Sequence, residues 1–160
     1  MNGVVTFCFL LSAYLFSFNI QAQNGDTGIE NEITAPVYRL FEGMETNDST
    51  LAKSAFTDNA TLFTLKTYPE GNPALIAGSV QDLLKTIAAP KTAVYKETLS
   101  NMKISYEGSL ASVWCDYFFY LGEKFHHCGI DHFLLLKTST GWKIRQITDT
   151  RKTKGCQENR

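Results

Sequence analysis

The spacing of apolar residues changes along the chain and divides it into segments. Residues 4–20 carry no charge and are dominated by Val, Phe, Leu and Tyr, and the polar stretch Asn24-Gly25-Asp26-Thr27-Gly28 follows. From Ile33 onward apolar residues return at Val37, Leu40, Phe41 and Met44. Steps of three and four gather them on one face of a helix. Pro36 suits only the first turn of that helix, because proline has no N–H to donate further in. Asn47-Asp48-Ser49-Thr50 breaks the pattern with capping side chains, and Leu51, Ala52, Ala55 and Phe56 form a second short apolar face. The two helices are read as a hairpin, ended by Thr57-Asp58-Asn59. A first strand over 60–65 follows, and then a loop containing Pro69, Gly71 and Pro73. Ser79, with Asp82 three residues on, has the form of a capping box and opens a third helix through Leu83, Leu84 and Ile87, stopped by Pro90.

Beyond Pro90 the period falls to two. Strands are predicted over 94–106, 112–121, 127–137 and 142–149, with turns at Glu107-Gly108, Gly122-Glu123 and 139–141. Such short turns impose consecutive antiparallel pairing. Helices first and a meander afterwards predict an α+β fold, with three N-terminal helices packed on one face of a curved antiparallel sheet.

The charge-free run is at the short end of what spans a bilayer, about 17–25 residues. Its flank favours a signal peptide, since Ala22 offers a small residue for cleavage and no basic stop follows. Met1-Asn2-Gly3 supplies no Lys or Arg, which keeps a retained anchor as the alternative. The resulting division is a signal peptide at 1–22, a flexible linker at 23–31, one domain at 32–156 and a tail at 157–160. Cleavage near Ala22 would deliver the domain to the periplasm or the exterior. About 138 residues then remain, enough for one core.

The chain's net charge of −1, with scattered Lys and Arg, gives no footprint for a nucleic acid or an anionic membrane. Cys115, Cys128 and Cys156 remain after the signal, and export permits a disulfide. No C-x-x-C spacing supports zinc or thioredoxin-type chemistry, and no cofactor is called for.

The chain resembles the nuclear transport factor 2-like, or SnoaL-like, superfamily from Ile33 to Cys156. The resemblance rests on Leu40-Phe41-Glu42-Gly43-Met44 with Asp48-Ser49-Thr50-Leu51, on Ala55-Phe56-Thr57-Asp58-Asn59-Ala60-Thr61-Leu62-Phe63, and on Gly141-Trp142-Lys143-Ile144. A small secreted branch is further suggested by His127-Cys128-Gly129-Ile130-Asp131 and by Thr148-Asp149-Thr150-Arg151 with Gly155-Cys156. The resemblance implies a cone with a pocket between helices and a strongly bent sheet, in homodimers packed through the sheet face. It does not fix a function, because such folds host isomerases, dehydratases, cyclases and binding domains.

An enzyme of the isomerase type needs a carboxylate base in an apolar pocket facing hydrogen-bond donors. The strand carboxylates are Asp116, Asp131 and Asp149. Alternation puts Trp114, Asp116, Phe118 and Tyr120 on one face of their strand and Cys115, Tyr117 and Phe119 on the other. Both faces are aromatic, as a strand covered by helices on one side and a second copy on the other would be. Asp116 reads first as a paired structural carboxylate and second as a catalytic base.

Asp131 and Asp149 should meet across the last hairpin, near Arg151 and the histidines His126, His127 and His132. That group reads as an ion pair fastening the last strand or as a polar pocket mouth with a titratable histidine and a carboxylate-binding arginine. A metal site on His126, His127 and Asp131 is disfavoured, because neighbouring strand residues face opposite ways. Tyr38, Phe56 and Trp114 join Asp131, Asp149 and Arg151 as pocket candidates, with plain core as the alternative for the aromatics.

For the cysteines, a tail curling back from Arg151 to Gly155 would bring Cys156 to Cys128, which is the disulfide expected. Pairings through Cys115, or a nucleophilic Cys128 beside His127, are its rivals. The leading functional reading is an exported domain that binds a small, partly apolar molecule without catalysis. Its rival is a cofactor-independent isomerase or lyase with Asp116 or Asp131 as base and His127 or a tyrosine as donor.

Overall fold

A computed structural model describes residues 27–67 and 72–156 of the chain. The expected signal peptide at 1–22, its retained-anchor alternative and the tail at 157–160 lie outside the described residues. Among those described, no helix is long and apolar enough to cross a membrane.

Helix α1 spans Thr27–Thr46 and buries Ile33, Val37, Leu40 and Met44 against the sheet. It starts earlier than the periodicity suggested, so residues 27–31 of the expected linker are its first turns. Pro36 therefore sits inside the helix and not in its first turn. Its ring is fully buried, and packing in the core offsets the lost backbone bond. Helix α2 (Ser49–Ser54) is capped by Asp48, whose Oδ1 accepts from Leu51 N at 2.8 Å. The hairpin is tight because Gly43 carries no side chain. A Cβ there would stand 2.7 Å from both Ala52 N and the Asp48 carbonyl oxygen. Helix α3 (Val80–Ala88) starts at Ser79, whose Oγ accepts from Gln81 N and Asp82 N at 3.1 and 3.3 Å.

The strands are β1 (Phe56–Lys66), β2 (Ala74–Gly78), β3 (Tyr95–Glu107), β4 (Leu110–Leu121), β5 (Lys124–Thr138) and β6 (Gly141–Thr150), in one sheet ordered β2-β1-β6-β5-β4-β3. The meander from β3 to β6 is antiparallel, as its turns require. Two features depart from the sequence reading. The segment after Pro73 is not all loop, because β2 folds back on β1 as the edge strand. The sheet is also not wholly antiparallel, since β1 and β6 run parallel. The helical segment between β2 and β3 separates β1 from the meander, so β1 meets β6 in the sense that this long connection allows.

Register shifts fall between Phe56 and Thr61, Ser100 and Lys103, Phe119 and Tyr120, and Leu134 and Leu135. Each bulge adds twist and bends its strand. The bent sheet closes around α1 and α3, with the core at Val37, Leu40, Ile87, Val113, Phe133, Leu135, Trp142 and Ile144. Beyond this core the layers part and leave a cavity.

Candidate functional site

The cavity measures about 580 Å³ and lies between α1, α3 and the concave face of the sheet. Its apolar wall combines Leu40, Phe41 and Met44 of α1, Leu83 and Ile87 of α3, and Leu62, Phe119, Phe133 and Ile147 of the sheet. These side chains follow from the helix and strand periods that also build the core.

Polar side chains are concentrated where β5 begins and β6 ends. Thr64, Asp149, Asp131 and Cys115 form one cross-strand row, since Thr64 pairs with Asp149, Asp149 with Asp131 and Asp131 with Cys115. Asp149 is held from three sides: Thr64 Oγ1 donates to Oδ1 at 2.6 Å, Arg151 Nε to Oδ2 at 2.6 Å and Tyr117 OH to Oδ2 at 3.4 Å. The Tyr117 hydroxyl also donates to the Thr150 carbonyl at 2.8 Å. Arg151 has no other hydrogen bond among the described residues, and its side chain is 53% exposed where the cavity opens.

Asp131 is only 4% exposed, and its carboxyl and that of Glu97 both line the cavity. Burial, and then the charges of neighbouring carboxylates, pushes Glu97 well above the usual carboxyl range. Asp131 is raised as well, by burial first. Both carboxyls therefore hold their protons to higher pH than exposed ones do. The Tyr117 phenol and the Cys115 thiol are pushed up, mainly by burial. Burial and then the Arg151 charge hold His127 down at about 4, so its ring is neutral at pH 7.

His126 and His127 both line the cavity, with their Nδ1 atoms 2.7 Å apart. Strict alternation would have sent them to opposite faces. The bulge opposite Phe119 and Tyr120 overrides it, because His127 pairs with Phe119 and Phe125 with Tyr120, leaving His126 as the extra residue. No group of three His, Cys, Asp or Glu side chains arranged to hold a metal occurs among the described residues.

The residues singled out from sequence separate into two sets. His127, Asp131, Asp149 and Arg151 meet at the polar end of the cavity. Asp116 and Trp114 do not join them, because they lie on the opposite face of β4. There Asp116 accepts from Asn101 Nδ2 at 2.6 Å, and Trp114, 48% exposed, tilts over His132. His132 is bonded to Ser112 at 2.8 Å on that same face. Tyr38 is 55% exposed on the outside of α1, and Phe56 belongs to the packed core and not to the cavity wall. Sequence reasoning missed Glu97. Its signal was present: alternation puts Glu97 on the same face as Tyr95 and Leu99, a lone acid on an otherwise apolar stripe.

The profile of a family described as "putative lumazine-binding" matches residues 29–146. The chain belongs to that nuclear transport factor 2-like family. Solved structures of similar fold include a nuclear transport factor 2-like protein of unknown function from Shewanella baltica, 22% identical, with a TM-score of 0.63 over 81% of this chain and 98% of that one. A superfamily protein from Salmonella enterica is 19% identical, with a TM-score of 0.63 over 85% and 99%. A third, named a "putative dehydratase" of the same family from Streptomyces avermitilis, is 18% identical, with a TM-score of 0.60 over 80% and 98%. No curated protein matches the chain.

In this nuclear transport factor 2-like domain the chain after β6 is tied down at the polar end. Lys152 and Cys128 exchange backbone hydrogen bonds of 2.9 Å, and Cys128 forms a disulfide with Cys156. Cys115 is left as a buried free thiol, so the pairings through it do not occur. Cys128, being in the disulfide, is not a free nucleophile. The bridge brackets Arg151, which leaves β6 one residue before the Cys128–Lys152 contact.

Proposed function

We propose that this domain binds one small, partly apolar molecule in its cavity, outside the reducing cytoplasm and without a cofactor. The observation that carries the reading is the cavity itself: about 580 Å³, with apolar walls and a few convergent polar groups at one end. Ligand sites of about 300–1,000 Å³ have this make-up. Export is supported by the Cys128–Cys156 disulfide, which an oxidising compartment preserves. The same reading pairs the outer sheet face, where Leu110 and Trp114 are 50% and 48% exposed, with a second copy of the chain. Nucleic acid is no partner for a chain of net charge −1.

One observation favours a second reading. The cavity lining holds both the Asp131 carboxyl and the neutral His127, the two kinds of group that a cofactor-independent lyase or isomerase uses. Dehydration, the activity in the name of the Streptomyces relative, belongs to that chemistry. Asp116, on the outer face, drops out as its base.

Native mass spectrometry of protein purified gently from the cells that make it tests both readings. One bound small molecule per chain, released on unfolding, is expected. A ligand recovered chemically altered after incubation would establish the catalytic reading. Repeated recovery of the bare chain mass would overturn binding.

A further inference from the structure

The walls of the cavity are unbalanced in charge. Its lining holds the carboxyls of Asp82, Glu97, Asp131 and Asp149, and against them one arginine, two histidines and no lysine. Asp82 is exposed and paired with Lys85 at 3.1 Å. Asp149 takes the single arginine through the 2.6 Å contact with Arg151 Nε. The two remaining carboxyls, Glu97 and Asp131, make no ion pair of their own among the described residues; the Arg151 charge reaches both but is already paired with Asp149. Both line a site where the Asp131 residue is 4% exposed. An uncompensated buried charge is costly, and natural sites compensate it with a counter-ion.

A second feature of the same cavity is independent of the carboxyls. His127 is nine-tenths buried, neutral, and lines the cavity. It spends Nδ1 on His126, and its Nε2 has no hydrogen-bond partner among the described residues. Tyr95, Tyr117, Phe119 and Phe133 also line the cavity. Aromatic faces attract cations, and do so more strongly in a desolvated site.

We infer that the ligand of this cavity is an organic cation: an apolar or aromatic body carrying a protonated amine that seats between Glu97 and Asp131, with His127 as a further polar contact. This rests on the reading that the cavity binds a small molecule, and adds the class of that molecule. The seated ammonium displaces a carboxyl proton, which leaves to solvent, so that ionised carboxylate faces the cation. The other titratable and charged groups around the pair are Cys115 and Tyr117 of β4, His126 and His127 of β5, Asp149 with Arg151 at the end of β6, and Tyr95 of β3. None of them is a free cation that would do the same work.

Three indoles of one shape and different charge test this: tryptamine, tryptophol and indole-3-acetate, titrated calorimetrically into the oxidised full domain at pH 7. Tryptamine should bind at least about tenfold more tightly than tryptophol, and indole-3-acetate most weakly. Tryptamine binding should release up to about one proton, read from its heat in buffers of different ionisation enthalpy. Glu97→Gln should bring tryptamine down to the affinity of tryptophol and leave tryptophol unchanged. Should that variant fail to fold, the wild-type ranking and the proton release decide alone. Equal binding of tryptamine and tryptophol would overturn the cation class while leaving a small-molecule site in place. Tightest binding of indole-3-acetate would overturn it in favour of Arg151 as the recognition group. No binding by any of the three overturns it too, and a bare native mass would then remove the small-molecule reading as well.

Discussion

Arg151 donates through Nε to Asp149 Oδ2 at 2.6 Å, a contact between side chains two residues apart where β6 ends. Residues at that spacing on a strand share a face, so both point to the cavity. The pair neutralises one of the cavity's carboxylates and leaves Glu97 and Asp131 without an ion-pair partner of their own among the described residues. The cluster that reads in sequence as a strand fastener or a pocket mouth contains this local ion pair and lines the cavity.

Arg151→Ala should leave the Asp149 carboxylate, 12% exposed, with only its two hydroxyl donors. The expected cost is about 1–3 kcal/mol in urea unfolding, the range for removing a hydrogen bond to a charged group. Arg151→Lys should recover part of it, because an ammonium restores the charge but not the Nε geometry.

Gly129 lies under the Tyr117 ring and against the backbone of Thr150. A Cβ there would stand 2.8 Å from Tyr117 Cε1 and would overlap the Thr150 carbonyl. Backbone cannot swing aside as a side-chain tip does. Gly129→Ala is expected to cost about 1–3 kcal/mol through overpacking, and to weaken the Tyr117 to Thr150 hydrogen bond. Thermal unfolding and exchange of the strand amides would register both; an unchanged melting temperature would contradict the packing described.

The disulfide closes a loop with a sequence separation of 28. Cys156→Ser, or reduction of the wild type, should lower stability by about 2–4 kcal/mol while keeping the fold. Since the bridge brackets Arg151, the same change should loosen the polar end of the cavity. Increased hydrogen exchange at residues 150–152, with β3 and β4 unaffected, is the expected pattern.

Two groups give the stability of the domain opposite dependences on pH. His127 titrates at about 4 in the fold against an ordinary value of 6.5. Between these values the unfolded chain binds the extra proton, so stability rises with pH across the window and falls in acid. Glu97 and Asp131 are raised above ordinary values of 4.5 and 3.8. There the fold holds the extra proton, so their contribution is full below those values and is lost as pH rises through the folded titration. His127→Gln should remove the rising component and Glu97→Gln the falling one. Urea unfolding of the variants from about pH 4 to 8 would separate them. Parallel curves for variants and wild type would refute the assignment.

The chain's periods determined most of the architecture. Ile33, Val37, Leu40 and Met44 wrote α1, Ser79 fixed the start of α3, and the short turns after β3, β4 and β5 left only an antiparallel meander. The meeting of Asp131 with Asp149 followed from the same hairpin logic. Local rules reach that far because a period or a cap is set by residues within a few positions of each other. They did not reach β2 or the parallel pairing of β1 with β6, which join segments far apart in the chain. Nor did they place His126 beside His127, since a bulge is decided by how β4 and β5 fit, not by either strand alone. Alternation correctly separated Trp114 and Asp116 from Tyr117 and Phe119, but which of those faces meets the cavity depends on where the helices pack. Glu97 shows the same division: alternation puts it on a stripe with Tyr95 and Leu99, and only the curved sheet places that stripe on the cavity that Asp131 also lines.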